Sequence, residues 1–176
     1  MASDANKKQW SELRCLLERD TISQLVLRYA NRLDARDFDG VAGCFSDDAL
    51  LSFNSGAVEH RGIEEIRDVY RVALGSGPQA NGESTTHLTS NLLIDLGQDG
   101  KARGRVKVVA FLLRGSVIAI RGFQFDDTYI RDEAGWKFAA RYQIVDWQSE
   151  VPSKKISIPT FALHPATSSE SNMGEQ

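Results

Sequence analysis

Apolar positions along the chain follow two periods, helical in the first half and alternating in the second. From Asp20 to Asp34, residues Ile22, Leu25, Val26, Tyr29, Ala30 and Leu33 fall on one stripe at three- and four-residue steps. That spacing predicts an amphipathic helix, with Asp20 as its N-cap. Trp10, Leu13, Leu16 and Leu17 carry the same spacing up to it. Phe38, Val41, Ala42 and Phe45 predict a short second helix, capped by Asp37 or Asp39 and ended by Ser46-Asp47-Asp48. Ala49 to Phe53 reads as a strand and Asn54-Ser55-Gly56 as a turn. Ile63, Ile66, Tyr70 and Ala73 mark a third helix, closed by Gly75-Ser76-Gly77-Pro78.

From Thr85 the chain reads as strands: Thr85 to Leu96, Arg105 to Leu113, Val117 to Ile130 and Trp136 to Trp147. Gly97-Gln98-Asp99-Gly100, Arg114-Gly115-Ser116 and Asp132-Glu133-Ala134-Gly135 turn the chain between them, the last a strong hairpin signal. Helices first and consecutive antiparallel strands afterwards predict an α+β fold. A chain of 176 residues suits one domain with a sizeable core. The polar residues 1–9 are expected to be disordered and 10–150 to form the domain. Residues 151–176 are expected to be a partly disordered tail, rich in Pro, Ser and Thr. Its Ile156, Ile158, Phe161 and Leu163 are suited to cover a neighbouring surface.

Charge narrows the partners. A net charge of −3 gives no electrostatic case for nucleic acid or an anionic membrane. No run approaches the roughly 18 apolar residues of a membrane helix, and the polar N-terminus lacks the features of a secretory signal. Cys15 and Cys44 have no metal-ligand spacing and read as free thiols in a reducing, cytoplasmic setting.

Candidate chemistry is sparse. Asp34 ends the first long helix at the edge of its apolar stripe. If it turns inward, burial and the helix dipole both raise its pKa and prepare a proton acceptor; otherwise it points to water. On a regular strand, His87 shares a polar face with Thr85, Thr89, Asn91, Leu93 and Asp95, suited to solvent or to a ligand cavity. His60 reads as a surface residue, and His164 lies in the tail. Arg141, facing the same way as Ala139, Val145 and Trp147, is either the partner of a buried carboxylate or a snorkelling surface residue. Arg121, Phe123, Phe125 and Tyr129 share a strand face that lines either a cavity or ordinary core. There is no nucleophile elbow, P-loop, dinucleotide fingerprint or His pair at metal spacing. An Asp–His pair, with no metal and no cofactor, is the best chemistry on offer.

Several loose motifs occur in a specific order. They are Tyr29-x-x-x-x-Asp34; Phe38-x-Gly40-Val41-x-x-x-Phe45-x-Asp47-Asp48-Ala49; Gly62-x-x-x-Ile66; Thr86-His87-x-x-x-Asn91-x-x-Ile94-Asp95; Tyr129-x-Arg131; and Gly135-Trp136-Lys137-Phe138. Over roughly residues 15 to 148 this resembles the SnoaL-like branch of the nuclear transport factor 2-like superfamily. The resemblance implies a cone-shaped barrel, in which a strongly curved, mostly antiparallel sheet wraps a pocket that N-terminal helices close.

Some members, such as scytalone dehydratase, bile acid 7α-dehydratase and the lindane dehydrochlorinase, use an Asp–His pair without a cofactor. Asp34 and His87 match those positions and are the expected catalytic residues. Tyr29 resembles a pocket tyrosine of the bile acid dehydratase pattern, and Arg141 an arginine that pairs with the Asp in the dehydrochlorinase. With Asn91 and Phe125, these are the expected substrate-binding residues.

The implied activity is a dehydratase-type lyase acting on a hydrophobic ring-containing small molecule. His87 would abstract a proton while Asp34 holds its tautomer. An isomerase or cyclase of a polyketide, steroid or terpenoid is the alternative. The same fold also serves as non-catalytic binding modules and as the small subunit of aromatic dioxygenases. Family practice, and apolar residues on both faces of Val106 to Leu113, further imply a homodimer or homotrimer.

Overall fold

A computed structural model describes residues 4–75 and 83–153 of the chain. Ser76-Gly77-Pro78 of the expected helix end, His164 and all but the first three residues of the expected tail lie outside the described residues. A single 31-residue helix, α1 (Asp4–Asp34), opens the fold. Residues 4–9 are therefore helical rather than disordered, which suits a stretch of Ala, Lys and Gln with no Gly or Pro to stop it. Asp20 lies inside the helix and caps nothing. The hydroxyls of Thr21 and Ser23, which would compete for a helix start there, instead donate back to the carbonyls of Leu17 and Arg19, each at 2.8 Å.

The end of α1 is sharply defined. Arg36 takes a left-handed φ of 57°, its N–H donates to the Leu33 carbonyl, and the Asp37 N–H donates to that of Arg32. This Schellman pair makes Asp34 the last helical residue. Asp37 then caps α2 (Phe38–Ala42), its carboxylate accepting from the Gly40 N–H at 2.9 Å.

Phe45 does not belong to α2. It opens β1 (Phe45–Phe53), where it packs on Phe138 with ring centroids 5.2 Å apart. Ser46-Asp47-Asp48 accordingly lies in a strand rather than ending a helix. A four-residue strand, β2 (Val58–Arg61), follows, too short and too exposed to show alternation. Helix α3 (Ile63–Leu74) comes next, and then β3 (Ser84–Leu96), β4 (Lys101–Arg114), β5 (Val117–Asp132) and β6 (Gly135–Pro152).

The six strands form one sheet in the order β2-β1-β6-β5-β4-β3, antiparallel except for the β1–β6 pair. The buried stripe of α1, from Ile22 to Leu33, packs with Ile66 and Tyr70 of α3 against the sheet's inner face. That face presents Val106, Val108, Ala110, Phe123, Phe125 and Phe138.

Strict alternation breaks in β1, where the register against β6 shifts between Phe45 and Leu50, and in two strands that bear on the site. Asn91 takes a left-handed φ of 50°, and the β3–β4 register slips between Ser90 and Leu93. Before this bulge Thr85, His87 and Thr89 face inward; after it Leu92, Ile94 and Leu96 do, leaving Leu93 exposed. The single polar face expected for β3 is thus only half right. In β6 the register slips opposite Thr128/Tyr129 and again opposite Gly122/Phe123. Arg141 consequently shares the buried side with Trp136 and Phe138, not with Ala139. On the outer face the Trp147 indole lies against Gly122, where an added Cβ would fall 2.2 Å from the ring.

Asn tolerates the left-handed conformation that the β3 bulge needs, and a β-branched residue does not. Asn91→Val is expected to lower stability by about 1–2 kcal/mol while Asn91→Gly leaves it near wild type, as read by urea denaturation.

Candidate active site

Asp34 reaches from the end of α1 to the edge strand β3 and grips one residue twice. Its Oδ1 lies 2.6 Å from His87 Nδ1, and its Oδ2 accepts from the His87 backbone N–H at 2.9 Å. A carboxylate at Nδ1 assigns a proton to that nitrogen. Burial pushes the Asp34 pKa up, but the two hydrogen bonds and the attraction of the imidazole outweigh it and hold the carboxyl below its ordinary value. The raised pKa expected from burial and the helix dipole is therefore reversed. Asp34 is held as a carboxylate against the His87 ring.

His87 lines a cavity of about 330 Å³. Its walls are mainly apolar, with Leu33, Phe53, Val69, Leu112, Phe123 and Phe125 among them. Tyr29 and Tyr70 also line it, and their hydroxyls hydrogen-bond to one another. Burial raises the pKa of both, Tyr70 well above the ordinary phenol value, so both are held as neutral O–H groups. Tyr70 had registered in the sequence only as one apolar position of α3. Its contact with Tyr29, 41 positions away, is one that no local spacing reveals. His60, expected at the surface, is half-buried on β2 and lines the same cavity.

Arg141 is 1% exposed, and its carboxylate partner is Asp127, 3% exposed and directly opposite on β5. Nε and Nη2 donate to the two carboxylate oxygens at 2.8 Å each, and the Tyr129 hydroxyl donates to Asp127 at 3.0 Å. The guanidinium carbon lies 4.2 Å from the Tyr29 ring centroid and 4.0 Å from those of Phe125 and Phe138. Desolvation works against the Arg141 charge, but Asp127 more than restores it and the pKa is raised. The expected Arg141–Asp34 pairing does not form, because the Arg141 guanidinium is engaged by Asp127, its cross-strand partner. Asn91, at the bulge, is exposed and outside the cavity lining, so the expected substrate contact is absent there too. Among the described residues no group of three or more His, Cys, Asp or Glu side chains could hold a metal.

The sequence model of the SnoaL-like domain matches residues 14–142. The chain belongs to the SnoaL-like domain family. Solved structures carry the same fold. A candidate scytalone dehydratase from Novosphingobium aromaticivorans is 20% identical, with a TM-score of 0.68 over 82% of this chain and 96% of that one. LinA, a hexachlorocyclohexane dehydrochlorinase, is 23% identical, with a TM-score of 0.71 over 85% and 99%. Rv3472 of Mycobacterium tuberculosis, whose function is unknown, is 26% identical, with a TM-score of 0.63 over 80% and 75%. No curated protein matches the chain. In this SnoaL-like domain, as in the implied superfamily fold, a curved and mostly antiparallel sheet with N-terminal helices encloses a pocket. His87, Tyr29 and Phe125 meet at that pocket, Asp34 is joined to it through His87, and Arg141 sits behind Tyr29 and Phe125.

A buried ion pair that loses one member leaves the other uncompensated. Arg141→Met and Asp127→Leu are each expected to destabilise by about 3–5 kcal/mol, and the double variant to recover much of that loss. Urea denaturation of the four proteins checks this; additive losses would show that the two residues do not act as a unit.

Proposed function

We propose that this SnoaL-like domain is a lyase of the dehydratase type, removing water from a hydrophobic ring-containing small molecule without a cofactor. The observation that carries the reading is the 2.6 Å contact between Asp34 and the Nδ1 of a histidine that lines a mainly apolar cavity. His87 Nε2 takes a proton from a carbon beside an activating carbonyl, and the C–H electron pair forms the new double bond. Asp34 stabilises the imidazolium that results. The leaving hydroxide takes a proton from the Tyr29–Tyr70 hydroxyl pair and departs as water, and His87 returns its proton through solvent to the tyrosines. The names of two structural relatives, a dehydrochlorinase and a candidate dehydratase, both describe eliminations and support this class over others. Return of the proton to another carbon of the same skeleton would make the protein an isomerase, the second reading for the same pair.

A positioned base contributes about 10²- to 10⁴-fold. In a panel of cyclic β-hydroxy ketones, followed by the ultraviolet absorbance of the conjugated enone, His87→Ala is expected to lower kcat by at least about 10²-fold. Asp34→Asn should lower kcat with little change in KM. Undiminished turnover by His87→Ala would remove the proposed base, and absence of turnover by the wild type across the panel would favour a binding module.

We also propose self-association, as a homodimer or homotrimer through the sheet's outer face. Leu88, Val109, Gly122 and Trp147 stand in register across four strands there, with Leu88 57% and Trp147 50% exposed. Apolar area of this kind on a long sheet calls for cover. Sedimentation velocity should show an oligomer that Leu88→Glu with Trp147→Glu converts to monomer. A monomeric wild type would overturn it.

A further inference from the structure

The inner face of the sheet carries a second polar group that the proton chemistry does not use. His87, Ala110 and Arg121 are successive Cα partners across β3, β4 and β5. His87 and Arg121 both line the 330 Å³ cavity. Two strand spacings put their Cα atoms about 10 Å apart. Arg121 is exposed at the cavity's edge, on the strand face that continues inward through Phe123 and Phe125.

The charge is unmatched where it stands. On the outer face Arg105 pairs with Asp126 at 2.8 Å and Lys107 with Asp146 at 2.7 Å. Among the described residues Arg121 has no hydrogen-bond or ion-pair partner, and no Asp or Glu lines the cavity. Arg121 is the one permanently charged side chain in that lining. Other polar groups accompany it: Gln143, Asn54 and His60, whose Nε2 is buried without a hydrogen-bond partner among the described residues. The remaining wall is apolar. A guanidinium presents a planar fork that matches a carboxylate with two parallel hydrogen bonds. A single such charge fits a monoanion better than a phosphate dianion.

We propose that the molecule this cavity takes is a carboxylic acid of one or two rings. Arg121 binds its carboxylate, and the apolar walls direct its ring system toward His87. The cavity lies near the lower end of the roughly 300–1,000 Å³ of typical ligand sites, and the rung limits the span between anion and reacting carbon to about 10 Å. This deepens the reading above and rests on it only for taking this cavity as the site.

The test is binding, which does not depend on turnover. Matched acids and primary amides (benzoate and benzamide, 1- and 2-naphthoate and their amides, cyclohexanecarboxylate and its amide) are titrated into the full chain by calorimetry and ligand-observed NMR. At least one acid should bind ten-fold or more tightly than its amide. The preference should fall below two-fold in Arg121→Leu, persist in part in Arg121→Lys, and be kept in His87→Gln. The proposal is overturned if no acid in the panel is preferred, if Arg121→Leu keeps the preference, or if His87→Gln loses it. Acid selectivity alongside undiminished turnover by His87→Ala in the enone assay would remove the elimination chemistry and leave this assignment standing.

Discussion

The double grip of Asp34 on His87 organises this molecule. β3 is the edge strand beside β4, so every second N–H along it lacks a ladder partner. The His87 N–H is satisfied by the carboxylate of a helix end. The same carboxylate, through its other oxygen, orients the ring. One acidic residue thus closes a sheet edge, docks α1 and selects a tautomer. It does so only because the Schellman turn at Arg36 and Asp37 stops the helix at Asp34 and not one residue to either side.

Behind the cavity, the Asp127–Arg141 pair solves a different problem. A buried guanidinium is expensive, and it is tolerated here because its partner accepts two hydrogen bonds and three aromatic rings enclose it. Those rings include Tyr29 and Phe125, which also face the cavity. The ion pair therefore stiffens two cavity walls from behind, without itself lining the main space. Tyr29 links the two halves: its ring lies on Arg141 and its hydroxyl meets Tyr70.

Most of the element order was legible, because apolar stripes on α1 and α3 and the turns between the long strands are strong local signals. Asp34 and His87 stood out through their place at the end of a stripe and on a hydroxyl-rich strand face, and family resemblance joined them. What escaped the reading has a common physical cause. Period-two reasoning assumes an unbroken strand, and the bulges at Asn91 and in β6 shift its phase. Asn91 and Leu93 thereby leave the polar face, and Arg141 turns to the core beside Phe138. Asp127 was missed as the arginine's partner because cross-strand register, not sequence distance, sets that contact. Likewise β2 is too short to carry a pattern, so His60 read as a surface residue.

The Asp34–His87 contact joins positions 53 residues apart, with α2, β1, β2 and α3 between them in the chain. Contacts of that separation form late, since loop-closure entropy must be met before they yield any stabilisation. An early compact species with α1 formed but β3 undocked would hold neither an oriented imidazole nor an enclosed hollow. The candidate site can therefore exist only once this long-range docking is complete.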